Sequence, residues 1–204
     1  MKSVAARTIR DESTQDALLT PFEREEAERE EMAHTQHRCL GKGVVAGLIG
    51  GLVGTIVMSE FQKAWSKASQ ALQCEEGKQQ SQAPQESENA TMKAAGKLAR
   101  LGGKELSHQQ KKNFGQVVHY LFGTAQGGLY GGVTELARTP GGFLPAVLFG
   151  AALFGLADEV GVPALGLSGK PSEYPISSHL YGMSAHIVYG MTTEIARRGL
   201  RAAI

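Results

Sequence analysis

The sequence predicts an all-α protein, an integral membrane four-helix bundle made of two duplicated helical hairpins. Three observations predict this class. Apolar stretches of near-membrane length alternate with strongly polar segments, although the mean hydropathy of the chain is slightly negative. Most of the 26 glycines fall inside the apolar stretches, where small residues let membrane helices approach closely. A segment of helical length also occurs twice.

The repeated segment spans residues 119–138 and 178–197. Laid together without gaps, eight of the twenty positions are identical, whereas unrelated segments of ordinary composition share about one or two. The identical pairs are Leu121/Leu180, Gly123/Gly182, Tyr130/Tyr189, Gly131/Gly190, Thr134/Thr193, Glu135/Glu194, Ala137/Ala196 and Arg138/Arg197. Two copies of one helix in parallel orientation indicate a duplicated hairpin, a known design of transporters.

Polarity divides the chain into a tail and a membrane domain. Residues 1–42 form a polar, partly helical N-terminal tail, whose run of glutamates and arginines fits a solvated helix face or a docking helix. Residues 43–204 form the membrane domain, with a polar connection at 62–113. The predicted spans are residues 43–61, 114–137, 141–162 and 178–197.

The first span has nineteen residues, which gives about 28 Å of helix against a hydrocarbon core of about 30 Å. The alternative is a buried helix of a soluble protein. In the connection, residues 90–101 predict a short amphipathic helix that lies either on the membrane surface or against the protein's own loops.

Glycines recur at four-residue steps in three of the spans, which predicts helix-packing faces. These glycines are Gly47, Gly51, Gly123, Gly127, Gly131, Gly182 and Gly190. Two carboxylate–guanidinium pairs at helical spacing, Glu135 with Arg138 and Glu194 with Arg197, predict a charged cuff at one membrane face.

Ionisable residues within apolar stretches are costly in a bilayer and usually face the bundle interior. The candidate polar cluster consists of His119, Asp158, Glu159, His179 and His186. One interpretation is an internal proton or ion path that uses His186 and a carboxylate partner. The other, which we favour from the sequence, is a hydrogen-bond clamp between helices.

Several function classes lack support. The formal net charge of +1 offers no electrostatic case for nucleic acid. No catalytic constellation, phosphate loop or paired Cys-x-x-Cys occurs, so we predict neither an enzyme nor a cofactor site. His34, His37 and Cys39 are too few ligands for a closed metal site. The two cysteines, Cys39 and Cys74, lie beyond opposite ends of the first span and predict no disulfide.

The chain resembles the YagU-like inner-membrane proteins, a bacterial family of unknown molecular function. The resemblance covers roughly residues 43–197 and leaves out the tail. It implies a multipass protein of the bacterial inner membrane with a loose association with acid tolerance, and it supplies no catalytic residues. The motifs that carry it are Ala90-Thr-Met-Lys-Ala-Ala, His119-Tyr-x-Phe-Gly with Leu129-Tyr-Gly, Ala157-Asp-Glu with Val162-Pro-Ala-Leu-Gly-Leu, and Tyr174-Pro-x-Ser-x-His179-Leu.

The function predicted first is a structural or accessory subunit that docks on other membrane proteins, or on a second copy, through its glycine-rich helix faces. The alternative is a small proton- or ion-linked transporter or acid-tolerance factor that uses the intramembrane histidines and carboxylates. Lysines and arginines near the span ends number eight on one side and nine on the other, so the positive-inside rule leaves the orientation open.

Overall fold

The computed structural model describes residues 20–75, 88–138 and 141–203, which contain helices and no strand. The all-α prediction is therefore confirmed for these residues. Five α-helices lie in the described ranges, and the fourth contains a π-helical segment, Phe154–Gly161. They are α1, Pro21–Glu75; α2, Ala90–Leu101; α3, His108–Leu136; α4, Phe143–Ala164; and α5, Ile176–Ala203.

The chain divides into two units, Met1–Gly41 and Lys42–Ile204. In the first unit, helix α1 begins at Pro21, and Arg29 donates to Glu25 at 2.7 Å in an exposed ion pair. The sequence predicted a short tail helix that ends before the first span. Instead, α1 continues without interruption to Glu75, because residues 22–75 contain no proline that would break it. The side chains of His34 and His37 lie outside the described part.

Helix α2 packs on the N-terminal part of α3. The Asn89 side chain caps α2 by accepting from the Met92 backbone N–H, and a reciprocal capping box of Ser107 and Gln110 begins α3. Lys111 donates to Glu88 at 2.6 Å, and this hydrogen bond lowers the pKa of the Glu88 carboxyl. The pair ties the two helices together where both begin.

Helix α2 has one face buried against α3 and one exposed face. Met92 and Ala95 are buried, and the backbone of Met92 lies where a side chain at Gly115 of α3 would fall. Leu98 and Leu101 stay exposed. The helix thus packs on the protein by one face, one of the two expected arrangements, and presents two leucines outward on the other.

Helices α1 and α3 touch backbone to backbone. A Cβ added at Gly51 would lie 2.6 Å from the Gly123 carbonyl oxygen and 2.8 Å from the Gly127 Cα. One turn earlier, a Cβ at Gly47 would collide with the Gly127 carbonyl oxygen and lie 2.9 Å from the Gly131 Cα. Only glycine allows this approach, so the two glycine stripes form one contact.

Helices α4 and α5 meet in a similar way. A Cβ at Gly190 would collide with the Ala146 carbonyl oxygen and lie 3.0 Å from the Gly150 amide nitrogen. Gly182 makes room for the ring of Phe154. A second face of α1 completes the bundle, because a Cβ at Gly54 would lie 3.0 Å from the Tyr189 carbonyl oxygen of α5.

The bundle buries small and polar residues and a few large ones, such as Tyr189 and Phe154, and exposes many of its large apolar side chains. Among the described residues, the buried hydrophobic cluster consists of Met58, Ala185 and Tyr189, with Phe149 among the partly buried residues packed against it. Two of the described helices are long and apolar enough to cross a membrane, over Cys39–Ala71 and Phe143–Ala164. Most of each apolar window lies outside the protein core, with 39% and 17% of the two windows buried.

Candidate functional site

A cavity of about 1210 Å³ opens between α1, α3, α4 and α5, beside α2 and the segment that joins α4 to α5. Its wall contains all five members of the polar cluster predicted from the sequence: His119, Asp158, Glu159, His179 and His186. These residues come from three helices and are separated by up to 67 positions in the chain. The bundle brings them to one site.

His186 is the most buried of these groups and faces Asp158. Its Nδ1 lies 2.9 Å from the Gly182 carbonyl oxygen. A carbonyl only accepts, so Nδ1 carries the hydrogen and donates. Nε2 then lies 3.7 Å from the Asp158 Oδ2, too far for a hydrogen bond. Because the Asp158 side chain is 45% exposed, this carboxylate is open to the cavity on its other side.

His179 and Glu159 are joined more tightly. The His179 Nδ1 lies 2.8 Å from the Glu159 Oε1, and its Nε2 lies 3.1 Å from the Pro171 carbonyl oxygen. Nε2 must donate to the carbonyl, so one further proton lies between Nδ1 and Oε1. The His179–Glu159 pair therefore holds one proton more than a neutral imidazole and an ionised carboxylate would hold together.

His119 approaches from α3, and its Nε2 is buried without a hydrogen-bond partner in the described part of the chain. The hydroxyls of Thr55 and Ser59 on the facing side of α1 donate to their own helix, to the carbonyls of Gly51 and Thr55. They are not available to His119 as donors. Its ring nitrogen is thus an uncommitted polar atom in the cavity wall.

The π-helical segment of α4 aims two consecutive carboxylates at α5. Asp158 faces His186 while Glu159 contacts His179. Consecutive side chains of an α-helix point about 100° apart. A π-helical turn contains more residues, so consecutive side chains point in more similar directions. Such π segments recur at functional sites. The sequence predicted a regular helix here. Pro163 was the available signal, since it has no N–H to offer an α-helical hydrogen bond.

At the opposite end of the bundle lies a buried ion cluster. Arg197 contacts both carboxylate oxygens of Glu194, at 2.8 and 3.2 Å. Glu194 also accepts from the Gly142 N–H at 2.9 Å. Glu135 binds Arg201 through two hydrogen bonds, of 2.7 and 3.2 Å, and lies 3.7 Å from Arg197.

This cluster differs from the predicted cuff in one of its two pairs. Glu194 and Arg197 pair as the helical spacing suggested, but Glu135 turns to α5 instead of to Arg138. Arg138 is exposed and has a left-handed backbone, φ 49°, just beyond α3. A side chain in that conformation leaves the helix surface. The missed partner, Arg201, lies four residues after Arg197 and so on the same face of α5.

Among the described residues, no three histidine, cysteine, aspartate or glutamate side chains are grouped as metal ligands. No family model matches the chain, and no curated protein or solved structure gives a significant match. The resemblance to YagU-like proteins therefore stays a prediction. Any functional conclusion rests on the geometry of the cavity and of the helix contacts.

Proposed function

We propose that this chain is a multipass membrane protein in which α1, α3, α4 and α5 cross the bilayer. Support comes from the distribution of side chains: threonines and the ionisable residues His186, Glu194 and Arg197 are buried in the bundle beside a few aromatic rings, while many large apolar residues are exposed. Water would not favour such a surface, but lipid does. The exposed apolar residues include Val45, Ile49, Leu52, Val53, Ile56, Val57, Leu121, Leu129, Val133, Leu144, Leu148, Leu156, Leu180 and Ile195.

We further propose that the bundle arose from two related hairpins, α1 with α3 and α4 with α5. The contacts support this beyond the sequence repeat. The carbonyl oxygen of Gly127 in α3 lies where a Cβ on Gly47 would fall, and the carbonyl oxygen of His186, aligned with Gly127 in the repeat, lies where a Cβ on Gly150 would fall. One turn further on, Gly131 and Gly190 are also equivalent.

The two hairpins differ at one of these equivalent positions. His186 occupies the position of Gly127, which has no side chain. An ionisable ring has therefore been added at a position that the first hairpin uses only for close packing.

The cavity favours proton- or ion-linked transport over the docking role. The glycine faces that suggested docking are occupied within the chain, since Gly47, Gly51, Gly127 and Gly131 contact each other. By contrast, the convergence of three histidines and two carboxylates on one cavity carries the transport proposal. Intramembrane groups of this kind form proton relays in transporters. Placement in the bacterial inner membrane rests on the resemblance to YagU-like proteins.

The test is proton flux into proteoliposomes that contain a pH-sensitive dye. We compare wild type with His186→Gln, which can hydrogen-bond but cannot titrate, and with His186→Ala, which does neither. His108→Ala is the matched control, because His108 is exposed at the start of α3 and does not line the cavity. Both His186 variants should lose at least tenfold in flux, and the control should not.

The clamp interpretation predicts a different pattern. A histidine that only holds helices together can be replaced by glutamine with flux retained, while alanine lowers the thermal stability. Retained flux in His186→Gln would therefore overturn the proposed proton role.

A further inference from the structure

We propose that the cavity binds a lipophilic organic cation, held by the Asp158 carboxylate and by aromatic side chains. This inference rests on the proposed transport function and adds the chemical class of the substrate.

Asp158 is the carboxylate left for a ligand. Glu159 is engaged by His179 at 2.8 Å. Among the described residues, Asp158 has only the distant ring of His186 as a charged or polar partner, at 3.7 Å, and nearly half of its side chain is exposed. On the basic side, Lys63 is paired with Glu60 at 2.7 Å, and Lys67, the other lysine of the wall, is exposed. A cation that enters the cavity thus meets one carboxylate that no described residue holds in a hydrogen bond.

Aromatic rings line the same space from three helices. Phe122 of α3 is nearly half exposed, and Tyr181 of α5 also contributes to the wall. The ring of Phe154 on α4 also belongs to the wall and lies 5.6 Å from the imidazole of His186. Aromatic faces attract cations when the charge lies within about 6 Å of the ring. A carboxylate among such rings selects positive charge on an apolar body.

The size of the cavity argues against a bare inorganic ion. At about 1210 Å³, it exceeds the roughly 300–1000 Å³ of ordinary small-molecule sites. Met58, Val118 and Leu153 supply apolar wall. No group of three metal ligands is present among the described residues. A bulky organic cation can fill this volume and bury apolar surface, whereas a small ion cannot.

Binding is coupled to a proton through Asp158. Before a cation binds, one proton resides on either Asp158 or His186, whose Nε2 lies 3.7 Å from the carboxylate; an entering cation takes the place of that proton beside the carboxylate, and the proton leaves to water. The exchange conserves charge. The other titratable groups in the wall are His119 of α3, Glu159 of α4, His179, Tyr181 and Tyr189 of α5, Tyr174 of the α4–α5 segment, and Lys63 and Lys67 of α1.

Two probes of one shape and opposite charge test the inference: tetraphenylphosphonium and tetraphenylborate. Binding to the detergent-purified full chain is measured by equilibrium dialysis and isothermal titration calorimetry. We expect the cation to bind, to release a proton on binding, and to weaken at least tenfold in Asp158→Asn. Glu105→Gln is the control, since Glu105 is exposed and outside the cavity wall, and it should bind like wild type.

Equal or stronger binding of the borate would overturn the proposal, because shape and not positive charge would then decide. Unchanged cation affinity in Asp158→Asn would also overturn the proposal, because the measured binding would then come from the detergent micelle. Proton flux without cation binding would refute this inference and leave the proposed function intact. Cation binding that depends on Asp158, without any flux, would support the site and refute transport.

Discussion

At the scale of single residues, the buried ion cluster shows what a short spacing motif can and cannot predict. The i,i+3 pair of Glu194 and Arg197 is local to one helix, so its spacing in the sequence was sufficient to suggest it. The bond of Glu135 to Arg201 joins α3 to α5 across 66 positions. No periodicity encodes that bond; it follows from how the two helices pack.

Glu194 should be the most sensitive residue of the cluster. Its side chain is 4% exposed and holds Arg197, itself 6% exposed. Glu194→Gln leaves that guanidinium with only Glu135, 3.7 Å away. Removing one member of a buried ion pair costs about 3–5 kcal/mol, and we expect about 3 kcal/mol here because Glu135 compensates in part.

Thermal unfolding in detergent measures the effect. Glu60→Gln, which breaks the exposed pair with Lys63, is the matched control and should leave the melting temperature unchanged. Equal melting temperatures for both variants would mean that the cluster does not stabilise the bundle.

At the scale of elements, glycine position decides which helices can touch. Gly47 and Gly199 both lie within helices, but replacing each with alanine should have opposite effects on stability. A Cβ at Gly47 would collide with the Gly127 carbonyl oxygen, whereas a Cβ at Gly199 would meet nothing within 4 Å. Gly47→Ala should cost about 1–3 kcal/mol through overpacking. Gly199→Ala should stabilise α5 by up to about 1 kcal/mol, because alanine favours the helix.

Melting curves of the two alanine variants provide the measurement, and the opposite signs are the decisive feature. If Gly47→Ala is as stable as Gly199→Ala, α1 and α3 do not approach at their glycines.

The helical type of the elements could be predicted from the sequence, but two of their features could not. The polar tail and the first span were predicted as separate segments, whereas α1 runs through both to Glu75. The π-helical turn at Phe154–Gly161 depends on packing against α5 and left only Pro163 as a local sign. Both errors concern how far a helix extends or how it winds, which tertiary contacts decide.

At the scale of the whole molecule, the cavity was only partly predictable. The five ionisable residues stand out in the sequence because apolar stretches surround them. The distances between them cannot be read from the sequence, because His186 and Asp158 come close only through the crossing of α4 and α5. From the sequence, either carboxylate could have been the partner of His186. The same crossing places Glu159 against His179, so Asp158 is the carboxylate that stays available to a ligand.

The topology yields a prediction that separates four crossings from two. With four crossings, residues 138 and 202 lie on one side of the membrane and residues 104 and 170 on the other. If only the helical segments Cys39–Ala71 and Phe143–Ala164 cross, 104 and 138 share one side, and 170 and 202 share the other. All four sites are exposed; three carry lysine or arginine, and the fourth lies at the end of α5.

Single cysteines decide between these arrangements. In a background of Cys39→Ser and Cys74→Ser, we introduce Lys104→Cys, Arg138→Cys, Lys170→Cys and Ala202→Cys one at a time. A membrane-impermeant maleimide is applied to sealed vesicles of one orientation. We expect 138 and 202 to label together and 104 and 170 only after the vesicles are opened, or the reverse for vesicles of opposite orientation. Because the cavity needs α3 and α5 beside α4 within the bilayer, co-labelling of 104 with 138 would remove the membrane setting on which the transport proposal depends.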